Sequence, residues 1–149
     1  MNNNNLFMNA PFLSSFFACI IAQFVKPIIS VIVGDKFDYK MAFSTGGMPS
    51  SHTASVVAIT TTVGIQYGIG SPLFAICAVF GLIVIHDAMG IRNQAGKQAE
   101  LLNQWSEIFS EDGRFTQANL KTMLGHTFSQ VFFGFVLGLI VGIIVPFVI

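Results

Sequence analysis

Four long apolar segments determine what this chain can fold into, at residues 6–33, 52–69, 72–91 and 127–149. A helix needs about 20 apolar residues to cross the hydrocarbon core of a bilayer, and all four segments qualify, the first being the longest. Hydrophobic residues make up 53% of the sequence and charged residues 9%, which is rare for a water-soluble domain. We therefore predict an all-α, polytopic membrane bundle of about four transmembrane helices.

The connections between these segments predict a single integral membrane domain over residues 1–149. No linker rich in proline, serine or like charges divides the chain. The turn 67–72 contains glycine and proline and predicts a tight hairpin between the second and third helices. The polar connection 92–126 is predicted to carry a short interfacial amphipathic helix, because apolar residues recur in it: Leu101, Leu102, Trp105 and Ile108.

The charged residues predict which face of the membrane holds the chemistry. All lysines and arginines lie in the two longer polar connections or in the half-span before them: Lys26, Lys36, Lys40, Arg92, Lys97, Arg114 and Lys121. The positive-inside rule makes that face cytoplasmic, in what we expect to be a bacterial plasma membrane. A formal net charge of zero and the lack of a basic stripe argue against a nucleic-acid partner.

The first polar cluster is the heptapeptide 46–52, Gly-Gly-Met-Pro-Ser-Ser-His, directly ahead of the second apolar segment. Pro49 is suited to the first turn of that helix, where Ser50 and Ser51 offer hydroxyl groups beside backbone N–H groups. Such a helix N-terminus attracts phosphate, and His52 would project from the first turn towards the bound anion. The alternative interpretation is an ordinary serine-capped helix with an interfacial histidine.

The second polar cluster ends the third apolar segment. Arg92 and Lys97 are candidates to clamp phosphate oxygens, while Asp87 orients Arg92 or holds a cation. The alternative is a structural ion pair between Asp87 and Arg92 around Gly90, with Lys97 reaching to the interface.

The third polar cluster opens the last apolar segment, where His126 and Gln130 share one helical face. A histidine held by a neighbouring acceptor is a candidate nucleophile, although a histidine at a membrane boundary is usually only a hydrogen-bonded side chain. Lys26 lies about two turns inside the end of the first segment and either joins this polar face or snorkels. Pro27 beside it predicts a tilt, a kink or an interfacial start for that helix.

Two further patterns bear on metals and on oligomers. No short-spaced pair of histidines or cysteines occurs, so we predict neither a metal site nor any other cofactor. Small residues recur at every fourth position of the last segment, which favours close helix packing within the fold or in a homo-oligomer: Gly134, Gly138 and Gly142.

Taken together, these residues resemble the divergent members of the type 2 phosphatidic acid phosphatase (PAP2) superfamily, which is related to acid phosphatases and vanadium-dependent haloperoxidases. The resemblance covers nearly the whole chain and lies in 46–52, in 87–103 and in 125–134. In the superfamily, a Pro-Ser-Gly-His motif binds phosphate and supplies an acid. Residues 49–52 resemble that element, with Ser51 in place of the glycine.

The resemblance also suggests a nucleophile. In the superfamily a later histidine forms a phosphohistidine and precedes an aspartate by four residues; His126 matches the histidine, and Gln130 replaces the aspartate. Leu120 stands where an arginine is expected, and the superfamily's lysine followed by Arg-Pro has no counterpart at its usual spacing.

The resemblance implies a membrane-embedded phosphatase or pyrophosphatase acting on a lipid phosphate. His126 would attack phosphorus, His52 would protonate the leaving oxygen, and the phosphate would be held by Ser50, Ser51, Arg92, Lys97 and Lys26. The alternative from another class is a non-catalytic phospholipid-headgroup or anion-binding protein, or a transporter subunit. A purely structural oligomeric membrane protein is a third interpretation.

Overall fold

The fold is a helical bundle. The computed structural model describes residues 8–34, 37–43, 46–111, 120 and 125–149, without the side chains of residues 40, 43, 91–93 and 109–111. Over these residues the chain contains a 3₁₀ helix (Tyr39–Phe43), no strand and five α-helices: α1 (Ala10–Val33), α2 (Ser51–Tyr67), α3 (Pro72–Met89), α4 (Ile91–Glu111) and α5 (Phe128–Val148). The predicted all-α fold is confirmed.

The number of helices that are long enough to span a membrane differs from the sequence prediction. Among the described residues three helical segments are long and apolar enough to cross a membrane, namely α1, α5 and a segment that starts with α3 and runs on into α4. The remaining predicted span, α2, has 17 residues and rises about 26 Å. It packs against α1, α3 and α5, so the shortest of the four predicted spans is the central helix of the bundle.

The bundle has small and polar residues inside and large apolar residues outside. The apolar residues buried in its described part are alanines and valines, and its largest fully buried side chains are Lys26, Thr53, Thr62, Ser14 and Ser50. The outer surface carries phenylalanine, isoleucine and leucine, for example Phe24, which is 70% exposed. Lipid tails are as apolar as these residues, so close packing of small residues, rather than hydrophobic burial, holds such helices together.

The three glycines of α5 make the closest helix contact. A Cβ atom added to Gly134, Gly138 or Gly142 would lie 2.5, 2.6 or 2.7 Å from a carbonyl oxygen of α2. The oxygens belong in turn to Ser50, Ala54 and Ala58. The glycine stripe therefore packs two helices of the same chain together. This is one of the two roles that the sequence predicted for it. The other role, a homo-oligomer contact through these glycines, stays a prediction, because the contacts of the three glycines described here are with the same chain.

A second stripe of mostly small residues runs along α1. Every fourth position from residue 10 to residue 30 is buried: Ala10, Ser14, Ala18, Ala22, Lys26 and Ser30. Lys26 is the exception in size and charge, yet it is 1% exposed. Pro27 lies inside α1 without ending it, so the first segment is one helix of 24 residues that begins at residue 10.

The predicted amphipathic helix in the polar connection is α4, which has 21 residues and is longer than expected. Among the described helices it contacts only α3. Its apolar side chains are 52–63% exposed, as expected for a helix lying at a membrane surface: Leu101, Leu102, Trp105 and Ile108.

We predict that Gly138→Ala loosens the contact between α5 and α2. The new methyl group would lie 2.6 Å from the carbonyl oxygen of Ala54, so the helices must separate, at a cost of about 1–3 kcal/mol of stability. The measurement is the thermal unfolding midpoint of the purified protein in detergent. Gly70→Ala in the α2–α3 turn is the control, because a Cβ there meets nothing within 4 Å. Equal midpoints for both variants would contradict the packing described.

Candidate functional site

Two predicted clusters meet where α2 and α5 begin. The backbone N–H of Ser50 donates to the carbonyl oxygen of Gln130 at 2.9 Å, which fixes the first turns of the two helices against each other. The rings of His52 and His126 consequently lie beside each other, with centroids 5.9 Å apart and planes inclined by 55°. Two histidines from remote parts of the sequence thus share one location, as the sequence predicted.

The start of α2 differs from the prediction. Ser50 is the N-cap, so the helix begins at Ser51 and Pro49 precedes it instead of occupying its first turn. The Ser50 hydroxyl is fully buried and accepts hydrogen bonds from the backbone N–H and the hydroxyl of Thr53, at 3.3 and 3.1 Å. Ser50 therefore has the capping role that the alternative interpretation gave it. Ser51 is buried as well, and His52 is the half-buried side chain of this first turn.

The start of α5 fixes the tautomer of His126. Thr127 and Gln130 form a capping box, in which the backbone N–H of Thr127 donates to Gln130 Oε1 at 3.2 Å. A backbone N–H only donates, so this contact identifies the amide oxygen as the acceptor. The same oxygen lies 3.1 Å from His126 Nδ1, which must then carry the proton. In neutral His126 the lone pair is left on Nε2.

The end of α3 also contacts His126. The backbone N–H of His126 donates to the carbonyl oxygen of Ala88 at 2.9 Å, and His126 is 3% exposed. Gly125 precedes it with a φ of +84°, a conformation that favours glycine. Asp87 is half-buried beside Ala88, while His86 is exposed in the same turn.

The structure describes the side chains of two of the three predicted phosphate-binding cations. The side chain of Arg92 lies outside the described residues, so its pairing with Asp87 stays a prediction. Lys97 is exposed on α4. Lys26 lines a cleft of about 300 Å³ together with Gly47, Ser129 and Gln130.

The Lys26 cleft adjoins the histidine pair through Gln130, whose side chain binds His126 and also lines the cleft. Gly47 lies over the lysine with a φ of +89°, and a Cβ there would be 3.6 Å from Lys26 Cδ. The positive φ would strain any other residue here, whereas the distance to the lysine is ordinary van der Waals contact. Sequence reasoning missed that Lys26 occupies a buried stripe position; the four-residue spacing of small residues in α1 was the signal that could have shown it.

Asn103 has a role that the sequence did not reveal. Its side-chain amide donates to the carbonyl oxygen of Leu120 at 2.8 Å and accepts from the N–H of Leu120 at 2.9 Å. This pair of hydrogen bonds ties the polar connection back to α4. No local spacing predicts it, because the partners are 17 residues apart and the contact uses backbone atoms.

Comparison with known proteins identifies the family of this chain. The pattern of the divergent PAP2 family matches residues 7–141. The chain belongs to the divergent PAP2 family. It is 39% identical over 153 aligned positions to YuiD of Bacillus subtilis (strain 168), described as an uncharacterized membrane protein, with 95% of this chain and 97% of YuiD covered. No solved structure matches it. The predicted resemblance to divergent PAP2 proteins is thereby confirmed.

We predict that cysteines replacing the two histidines of this PAP2 family member can be cross-linked. In a background with Cys19→Ala and Cys77→Ala, the double variant His52→Cys/His126→Cys should form an intramolecular link with a short thiol-reactive reagent, because the histidine rings lie 5.9 Å apart. Mass spectrometry of the digested protein detects the linked peptides.

The control pair is Gly70→Cys/His126→Cys, since Gly70 lies in the turn that follows the far end of α2. We expect no link in that pair. Linking with equal yield in both pairs, or in neither, would contradict the convergence of the two helix starts.

Proposed function

We propose that this protein is a membrane-embedded phosphatase or pyrophosphatase that acts on a lipid phosphate through a phosphohistidine on His126. The observation that carries the proposal is the hydrogen bond from His126 Nδ1 to Gln130 Oε1, because it directs the Nε2 lone pair away from α5 as a nucleophile requires. The ring of His52 lies beside that nucleophile as a proton donor. Membership of the divergent PAP2 family supports the substrate class.

The reaction has two steps in this proposal. His126 Nε2 forms a bond to phosphorus while the bond from phosphorus to the leaving oxygen breaks, and protonated His52 gives that oxygen its proton. Water then attacks the phosphohistidine, neutral His52 takes a proton from the water, and the bond from phosphorus to Nε2 breaks. Inorganic phosphate and unmodified His126 result. Neither step as written uses a metal or another cofactor.

Phosphate binding is assigned to the first turn of α2 and to cations around it. Two features support Lys26: it is a cation buried in a membrane helix, which by default serves a function, and it shares a cleft with Gln130. Arg92 and Lys97 follow the end of α3, whose carbonyl oxygen at Ala88 holds His126. They are proposed to approach the phosphate from that side, with Asp87 orienting Arg92.

The membrane setting favours a lipid substrate. The helices α1, α2, α3 and α5 carry their large apolar residues outward, and the histidine pair lies at one end of the bundle. An anionic headgroup held at that end leaves its hydrocarbon chains in the bilayer. The charge bias of the polar connections supports placing this end at the cytoplasmic face, in a bacterial plasma membrane.

One feature favours a second candidate function. Gln130 supplies a neutral amide where the superfamily has a carboxylate, and an amide cannot stabilise an imidazolium by its charge. In a serine-protease triad the corresponding exchange lowers kcat about 10⁴-fold. The second candidate is therefore a headgroup-binding protein or transporter subunit that retains the anion site without turnover.

We predict that His126→Ala abolishes hydrolysis of lipid phosphates, because it removes the nucleophile, and that His52→Ala lowers the rate about 10²- to 10⁴-fold by removing the acid. Phosphate release from phosphatidate, a polyprenyl diphosphate and phosphatidylglycerol phosphate measures the activity. Brief exposure to labelled substrate should give an acid-labile phosphohistidine in the wild type.

His86→Ala is the matched control, since His86 is exposed at the same end of the bundle. It should retain full activity. A wild-type protein that binds these lipids without hydrolysing any of them, and that loses binding through Arg92→Ala but not through His126→Ala, would support the headgroup binder instead.

We predict that Gln130→Glu raises the rate of histidine phosphorylation. Glutamate has the same length, accepts the same two hydrogen bonds and adds the negative charge that a phosphorylated, protonated imidazole needs. Gln130→Leu should lower the rate, because it frees the tautomer of His126 and removes half of the capping box. Single-turnover phosphorylation measures both effects, and thermal midpoints separate them from loss of fold. A rate unaffected by either change would exclude a positioning role for Gln130.

A further inference from the structure

We infer that one hydrocarbon chain of the lipid substrate lies in a groove between α3 and α5, directly beneath the histidine pair. This inference rests on the proposed function, because it concerns how that site holds its substrate. The groove has a volume of about 410 Å³. Its floor is α2, and its sides include Ala78 and Leu82 of α3 and Phe135 and Leu139 of α5.

The groove exists because α3 and α5 diverge. Both pack on α2, but they scarcely contact each other, so a channel is left open above the central helix. Gly81 of α3 lies against Val56 of α2 without strain, since an added Cβ would be 3.8 Å from that side chain. The small residues at Gly81 and Ala78 keep the α3 side of the groove wide.

The upper end of the groove leads to the proposed catalytic residues. Along α2, His52, Val56 and Thr60 follow at intervals of four residues and so share one face of the helix. Val56 and Thr60 line the groove, which places His52 at the head of the same stripe. Along α3, Ile85 lines the groove about one turn before Ala88, whose carbonyl oxygen binds His126.

The chemistry of the walls fits a hydrocarbon chain. The hydroxyls of Thr60 and Thr61 donate to the carbonyl oxygens of Val56 and Val57 in their own helix, at 2.6 and 2.8 Å. These two polar side chains are thus satisfied, and the other residues around the groove are apolar. A ligand needs no hydrogen-bonding group there.

The far end of the groove is lined by an aromatic ring. Phe74 of α3 lies on Gly64 of α2, where an added Cβ would be 3.1 Å from the ring. From Ile85 to Phe74 the helix rises about 16 Å, which sets the length of chain that the groove takes. The occupant is therefore a single extended acyl or prenyl chain whose headgroup is held at the histidines.

The test uses phosphatidate with a photoreactive diazirine in one acyl chain, added to the full-length protein in phosphatidylcholine nanodiscs. We expect the adducts to concentrate on the groove residues of α3 and α5. Phosphatidylcholine with the same diazirine chain should label the outer surface evenly, because its headgroup does not engage the site. Unlabelled phosphatidate should compete with the groove adducts.

Ala78→Phe fills the groove and should lower the groove adducts about tenfold. Ala75→Phe makes the same change at an exposed position outside the groove and should leave them unchanged. The inference would be overturned if the lipid-facing side of α1, for example Phe24, were labelled as strongly as the groove. Equal labelling of the Ala78→Phe and Ala75→Phe variants would overturn it as well. So would an Ala78→Cys variant that cross-links into dimers instead of forming lipid adducts.

Repeating the labelling with His126→Ala separates this inference from the proposed function. Labelling needs no turnover, so groove adducts in a protein without phosphatase activity would contradict only the proposed catalysis. Normal hydrolysis by Ala78→Phe, together with evenly spread adducts, would contradict only the groove.

Discussion

The close contact between α5 and α2 is the constraint on which the rest of the structure depends. Glycines at every fourth position of α5 let its backbone approach the carbonyl oxygens of α2, and Thr62 adds a hydrogen bond to the carbonyl oxygen of Gly142 at 3.0 Å. At the other end of this contact, Ser50 donates to Gln130. This hydrogen bond holds the starts of α2 and α5 next to each other. The neighbouring positions of His52 and His126 follow from that alignment.

Each helix start at the site combines a structural and a chemical task. Ser50 caps α2 and packs beneath Gly134, so the residue two positions before His52 is fixed on both sides. Gln130 completes the capping box of α5 and also accepts from His126 Nδ1. A side chain held by the secondary structure itself loses little freedom when a ligand arrives, and such preorganisation is what a site needs to stabilise developing charge.

The helical fold and the meeting of the clusters could be predicted from the sequence, because apolar length fixes the spans and topology then brings the polar ends to one face. Finer features depended on three-dimensional packing. Pro49 is suited to a helix start, but the hydrogen bonds that cap α2 come from Ser50, so the helix begins later. The glycine stripe was equally compatible with packing inside one chain or between two. The position of α2 shows the packing inside one chain. The contact of Asn103 with Leu120 has no local pattern at all.

The buried position of Lys26 has a consequence for membrane biogenesis. The cation interrupts a row of alanines and serines that packs on α2 and α5, and both helices are synthesised after α1. When α1 first leaves the translocon, no partner helix yet shields its ammonium group from acyl chains, and a lysine within a span disfavours insertion. Its place near the carboxyl end of α1 lets the side chain reach the headgroups meanwhile. The helix can therefore enter the bilayer early and withdraw its charge as the later helices assemble.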